Sequence, residues 1–264
     1  ARVVDGLDFS VMPGECVAVV GESGSGKSVT AFSVLGLTAF NGGTIEAGSI
    51  KFRRRDGSVV DLAKADERIM RSIRGDEIAM VFQEPMTALN PVFAVGEQIA
   101  EVLRQHRGMD RQTANARALD LITRVQITDP ARRFTQYPHE LSGGMRMRVS
   151  IARAMVTRPK LLLMDEPFAA LDEITRQKLN DDVLRLWQQH GVTVIFVTHS
   201  VYESAYLSSR IVVMRARPGQ VFTDLSVNQP AERNQAYRVS EAYRQTCQDV
   251  SDALQRAIGA AEVH

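Results

Sequence analysis

Apolar residues along the chain gather in short continuous runs, separated by stretches in which they recur at helical spacing. "ECVAVV" (15–20) is the first run. It ends at a glycine-rich stretch and predicts a strand buried on both faces. "SVTAFSVLGL" directly behind that stretch predicts a helix, and "GSIKF" and "GSVVDL" flank "RRRDG" as the arms of a hairpin. "EIAMVF" (77–82), "KLLLMDEP" (160–167), "VTVIFVTHS" (192–200) and "RIVVM" (210–214) predict four further short strands. Between Phe82 and Lys160 the period turns helical. "VGEQIAEVLRQH" carries Val95, Ile99, Val102 and Leu103 on one face, and "ANARALDLITRV" continues in the same style. The pattern as a whole predicts an α/β core with a helical insertion. Near the end, Tyr243, Cys247, Val250, Leu254 and Ile258 stand at helical spacing. They predict a helix packed on the core rather than one dedicated to a partner.

A length of 264 residues fits one large domain, or one domain with a sizeable insertion. Hydrophobic residues at 44% and charged residues at 24% are ordinary for a soluble globular protein. The net charge of +1 supplies no field that would draw nucleic acid or an acidic membrane surface. Cys16 and Cys247 stand in no metal-binding spacing, which points to a reducing compartment. No signal peptide and no apolar run of about 18 residues is present, so service at a membrane would go through a partner.

Gly21-Glu22-Ser23-Gly24-Ser25-Gly26-Lys27-Ser28 lies between the first predicted strand and a helix that Val29 helps to open. That is the setting of a phosphate-binding loop. The glycines let backbone N–H groups turn towards phosphate oxygens, and the helix N-terminus adds partial positive charge. Lys27 would reach the β- and γ-phosphates, and the Ser28 hydroxyl would ligate Mg²⁺. A glycine-rich turn without a ligand is the plainer alternative. Asp165 and Glu166 end the apolar run "LLLMD", at the C-terminal end of a strand where open α/β sheets bind ligands. Asp165 suits the Mg²⁺ side, and Glu166 could polarise an attacking water. Adjacent carboxylates at a strand end can also be a solvated turn.

"ELSGGMRMRVSIARAM" (140–155) lies between the loop and this acidic pair. Here the sequence resembles the ATP-binding cassette (ABC) ATPases, whose other motifs follow in order. Gln83 in "VFQEP" matches the Q-loop, and Leu141-Ser142-Gly143-Gly144 the signature. Asp165 and Glu166 match the Walker B aspartate and the catalytic glutamate. Ala170-Leu171-Asp172 matches the D-loop, and His199 in "VTHS" the switch histidine. The resemblance implies a P-loop NTPase core, RecA-like and mostly parallel with an antiparallel β subdomain, plus an inserted α-helical subdomain. It divides the chain into a core (1–83 and 160–225), a helical signature subdomain (84–159) and a helical tail (226–264). Glu166, His199 and Gln83 would be catalytic. Ser28, Gln83 and Asp165 would serve Mg²⁺, and ATP would be held by residues 21–29.

Ser142, Gly143 and Gly144 precede a helix with Met145, Val149, Ala152 and Val156 on one face, so they form a second anion site. The family closes that site, with Asp172, on the ATP of a second ATPase subunit, identical or paralogous, in a head-to-tail dimer. A lone histidine behind a strand is more often structural. Within this constellation His199 is expected at the γ-phosphate. Arg146, Arg148 and Arg153 are expected to be solvated or salt-bridged.

The resemblance further implies transmembrane permease subunits, an extracytoplasmic solute-binding protein acting indirectly, and a peripheral position on the cytoplasmic face of the membrane. Residues up to about 145–155 resemble importers of peptides, glutathione or nickel. "LLLMDEPFAALDEITR" and "FVTHSVYESAYLSSRIVVM" are similar to the nitrate, sulfonate and taurine importers. The family's adenine-stacking aromatic lies further upstream than Phe9 and has no counterpart in these residues, so weak selection of the base is expected. A non-transport ABC ATPase would bring long coiled coils or a second cassette. A P-loop kinase or GTPase would not need LSGG or the histidine. An inactive nucleotide-binding regulatory module would not need Glu166 and His199.

Overall fold

The computed structural model describes residues 2–84, 88–228, 230 and 232–262. The chain divides into two compact units, residues 1–71 with 187–264 and residues 72–186. In chain order, β1 (Cys16–Gly21) leads to α1 (Lys27–Val34). β2 (Lys51–Arg53) and β3 (Val59–Asp61) form the expected antiparallel hairpin. α2 (Glu67–Ile73) precedes β4 (Ile78–Val81). Then come α3 (Val95–Arg107), α4 (Arg111–Arg124), α5 (Pro130–Phe134), α6 (Gly143–Met155) and β5 (Leu161–Asp165). α7 (Glu173–His190), β6 (Thr193–Val197), α8 (Val201–Leu207) and β7 (Arg210–Arg215) follow. β8 (Gln220–Ser226), α9 (Gln235–Arg238) and α10 (Glu241–Glu262) come last.

In the first unit β1 lies between two parallel neighbours. Val17 stands opposite Ile195 of β6 on one side and Arg210 of β7 on the other. All six residues of β1 are buried, which is why its sequence is a continuous apolar run. β8 returns antiparallel along β7 and was not expected from the sequence. Its residues are half-buried or exposed throughout, so it carries no apolar run to mark it. α10 packs on this sheet as predicted, through Val250, Ala253 and Ala257 against Ala18, Val20, Ile211 and Val213. The buried stripe keeps Tyr243 and Val250 of the expected one. Ala253 and Ala257 share the inner positions, and Ile258 is exposed. Small side chains let the helix axis approach the sheet.

An aromatic corner anchors the tail. Tyr206 is fully buried, with the rings of Tyr237 and Tyr243 at 6.2 and 6.4 Å. Arg233 donates to the carbonyls of Tyr206 and Leu207 at 2.8 and 2.7 Å, and its guanidinium lies 5.3 Å from the Trp187 ring centroid. Burial pushes the Cys16 thiol up to about 12, so it stays protonated and packs as a small apolar group.

In the second unit β4 and β5 pair in parallel, Ile78 opposite Leu161 and Val81 opposite Met164. Val95, Ile99 and Leu103 of α3 are buried as predicted, with Val102 half-buried. Ala114, Ala118 and Ile122 form the inner face of α4. α6 buries Val149 and Ala152 from the expected stripe, together with Met147, Ile151, Ala154 and Met155, while Met145 and Val156 are half-buried. This helix is enclosed on more than one side, so a single stripe understates its core.

Gly96, the second residue of α3, lies directly against the Phe134 ring. A Cβ at position 96 would lie 2.3–2.5 Å from ring carbons. Alanine ordinarily stabilises a helix by about 1 kcal/mol over glycine. Here we expect Gly96→Ala to destabilise by about 1–3 kcal/mol through overpacking. Urea unfolding checks this, and combining it with Phe134→Leu should recover most of the loss. A more stable Gly96→Ala would show that the ring yields freely.

Candidate functional site

The glycine-rich loop belongs to the first unit and runs from the end of β1 to the start of α1. Gly24 and Gly26 have φ of +81° and +86°, a conformation open to glycine at little cost. Lys27 is only 5% exposed. Its Nζ donates to the carbonyls of Gly21 at 2.9 Å and Glu22 at 3.0 Å, so the loop wraps its own cation. Glu22, Ser23 and Gly24 are exposed, Ser28 is half-buried and Val29 stands at the rim. Ser25 is fully buried, and its Oγ has no hydrogen-bond partner among the described residues. The Thr30 amide and hydroxyl both return to the Gly26 carbonyl at 2.8 Å, closing the first turn of α1.

His199 follows β6 and is exposed. Its loop is pinned by residues absent from the sequence-based set. The Thr198 amide donates to the Val19 carbonyl of β1 at 3.2 Å. The Thr198 hydroxyl donates to the buried Glu203 carboxylate at 2.6 Å and accepts from the Ser200 amide at 3.0 Å. Ser200 Oγ accepts from the Glu203 amide at 3.3 Å and caps α8. The signal for this was present. Ser200 and Glu203 have capping-box spacing, although the glutamate turns to Thr198 rather than to the cap amide.

In the second unit, Asp165 closes β5 and is 4% exposed. Glu166 follows with φ +43°, a left-handed conformation uncommon for a residue other than glycine and one found disproportionately at functional sites. Gln83, just beyond β4, reaches it. Gln83 Nε2 donates to Glu166 Oε2 across a long 3.4 Å. Thus two of the three residues expected to be catalytic meet through their side chains.

Ser142 caps α6, its Oγ accepting from the Met145 amide at 3.4 Å. A Cβ on Gly144 would lie 2.7 Å from the Thr175 methyl, and one on Gly143 would lie 3.4 Å from Leu171 Cδ2. Asp172 is exposed and accepts from the Thr175 amide at 3.0 Å. Hydrogen bonds from the Thr175 amide and hydroxyl hold the Asp172 carboxyl below its ordinary range. The LSGG turn and the Asp172 turn are therefore packed together as two adjoining helix N-termini. Of the three arginines, Arg148 pairs with Asp182 at 2.5 Å. Arg146 and Arg153 instead donate to the carbonyls of Pro138 and Ala88, at 2.7 and 2.8 Å. Burial pushes the Asp182 carboxyl up, and Arg148 and Arg185 offset only part of that.

Residues 4–169 match the family model described as ABC transporter, so the chain belongs to that family. It is 52% identical over 213 residues to an ATP-binding protein of Brucella melitensis provisionally named for peptide import. The match covers 81% of this chain and 63% of the relative, so the chain spans less than two thirds of that protein's length. It is 47% identical over 226 residues to the glutathione import ATP-binding protein GsiA of Pectobacterium atrosepticum, covering 83% of this chain and 36% of that one. It is 43% identical over 225 residues to the oligopeptide transport ATP-binding protein AppD of Bacillus subtilis, covering 85% and 66% respectively. The fold is that of the ATP-binding cassette MJ0796, solved as a dimer in a post-hydrolysis state bound to ADP and Pi. The TM-score is 0.71 at 27% identity, over 86% of this chain and 92% of that chain.

The contact between Gly144 and Thr175 is testable. Gly144→Ala should cost about 1–3 kcal/mol of stability, because a γ-methyl has no free path away. Thr175→Ser removes that methyl and keeps the hydroxyl on Asp172. Added to Gly144→Ala, it should restore the melting temperature of the parent. An unchanged melting temperature in Gly144→Ala alone would show that the two turns are not packed this closely.

Proposed function

We propose that this chain binds and hydrolyses ATP as the nucleotide-binding subunit of an importer. The observation that carries the reading is the loop at residues 21–28, with its buried lysine held on loop carbonyls beneath two left-handed glycines. A buried ammonium beside the exposed residues 22–24 is suited to polyphosphate, and the start of α1 adds to the attraction. On this reading residues 21–29 hold the ATP phosphates. The Ser28 hydroxyl, Gln83 amide oxygen and Asp165 carboxylate are hard oxygen donors of the kind Mg²⁺ takes. Among the described residues no group of three or more His, Cys, Asp or Glu could hold a metal ion.

Glu166 is the base that polarises water. The Gln83 amide N–H meets Glu166 across 3.4 Å, and a donor at that distance is easily given up to water. His199 faces the γ-phosphate from a loop fixed by Thr198 and Glu203. Ser142, Gly143, Gly144 and Asp172 act on ATP held by a second ATPase subunit, and the dimeric state of MJ0796 supports this. Closure of that dimer would drive transmembrane permease subunits, with a solute-binding protein delivering cargo from outside. The names of the relatives favour a peptide-like solute. No helix among the described residues is long and apolar enough to cross a membrane. A peripheral place on the cytoplasmic face goes with this reading, as does the division into core (1–83, 160–225), helical insert (84–159) and tail (226–264). Permease contact is assigned to Gln83 and the "EPMTALNPVF" segment, of which residues 85–87 lie outside the described residues.

Glu166→Gln should retain ATP binding and lower turnover by about 10²-fold or more, by loss of the base. It should also accumulate as an ATP-bound dimer. Phosphate release and gel filtration with ATP and Mg²⁺ measure both. Lys27→Ala should abolish binding, whereas Ser142→Arg should bind ATP as a monomer and fail to dimerise. Near-parental turnover in Glu166→Gln would remove Glu166 from its role. Loss of monomer affinity in Ser142→Arg as severe as in Lys27→Ala would overturn the cross-dimer assignment.

A further inference from the structure

The turn between β7 and β8 approaches the phosphate loop through main-chain atoms of Gly219. The Gly219 amide donates to the Val3 carbonyl at 2.8 Å, and its carbonyl accepts from the Asp5 amide at 2.9 Å. Val4 thereby forms a parallel bridge with Gly219. A Cβ on Gly219 would lie 2.2 Å from the Ser25 carbonyl oxygen and 3.1 Å from the Val3 carbonyl oxygen. Gly219 does not have a positive φ, so glycine is required here by space and not by conformation. Both neighbours are main-chain atoms and cannot rotate aside. The N-terminal segment also bears on the loop directly. Val4 Cγ2 would lie 2.5 Å from a Cβ on Gly26. The Ser25–Gly26 peptide is thus bracketed by the 216–219 turn and by residues 3–5.

We propose that Gly219 is a positioning residue for the phosphate loop, its missing side chain setting where the Ser25–Gly26 peptide lies. This rests on the reading of residues 21–28 as the nucleotide phosphate site. Because the peptide is planar, moving the Ser25 carbonyl turns the Gly26 amide with it and shifts the first residue of α1, which is Lys27. Gly219 itself lies on the far side of that peptide's carbonyl, and no role in touching nucleotide is assigned to it. The neighbouring hairpin strand, which carries no catalytic motif, therefore sets the geometry in which phosphates are received.

The test is calorimetric titration of the full chain with ATP and Mg²⁺, together with thermal unfolding with and without ATP. The parent is compared with Gly219→Ala, and with Gly259→Ala on α10, where an added methyl meets nothing within 4 Å. Gly219→Ala should weaken ATP binding by about tenfold to a hundredfold, a loss of about 1.4–2.7 kcal/mol. It should also lose most of the ATP-induced rise in melting temperature, which a merely structural defect would leave in place. Gly259→Ala should match the parent. Parental affinity in Gly219→Ala overturns this inference alone. A parent chain that binds no ATP overturns the nucleotide reading and this inference with it. If Gly219→Ala does not fold, Val4→Ala decides. Removing that methyl from the other side of the loop should weaken ATP by about threefold in a folded chain, and unchanged affinity overturns the proposal.

Discussion

Lys27 places an ammonium group inside the first unit, and much of the surrounding structure answers to that charge. A buried cation without partners is costly, so the chain curls back and offers the carbonyls of Gly21 and Glu22. That curl demands left-handed backbone, which Gly24 and Gly26 supply. It also demands close approach of main chain to main chain. At position 21 a methyl would lie 2.7 Å from the Met214 carbonyl oxygen, and at 219 it would lie 2.2 Å from the Ser25 carbonyl oxygen. The fully buried β1 serves as the post on which the curl is mounted.

The second unit handles negative charge by a different device. Asp165 is carried to the end of a buried strand, and Glu166 is turned out of it by a left-handed residue. Gln83, just beyond the neighbouring strand, meets Glu166 without holding it tightly. The signature turn and the Asp172 turn then present two helix N-termini side by side, close enough that Gly144 leaves no room beyond the Thr175 methyl. Such adjoining positive helix ends favour an anion.

What the sequence made legible follows from how local each signal is. Continuous apolar runs marked β1, β5, β6 and β7 because their residues are buried on both faces. β8 escaped because it is half-exposed and has no such run. The glycine-rich loop, the LSGG turn and the strand-end carboxylates could be placed from the sequence because each is built from neighbours in sequence. The approach of Gly219 to Ser25, of Thr175 to Gly144 and of Gln83 to Glu166 joins residues from different elements. No spacing rule reports such pairs. On α10 the expected stripe is kept at Tyr243 and Val250, but Ala253 and Ala257 share the inner face and Ile258 is exposed.

Three turns read as functional also cap helices. Ser142, Asp172 and Ser200 accept from the amides of Met145, Thr175 and Glu203. Accepting from one amide leaves the Ser142 and Ser200 hydroxyls their O–H to donate and leaves the Asp172 carboxylate further lone pairs, so each cap fixes the direction of a group that can still meet a ligand. How steadily these groups are aimed is thus limited by fraying, a local equilibrium set by a few residues at each helix start and largely independent of the global stability of the fold. Hydrogen exchange at those three amides is where that motion would be recorded.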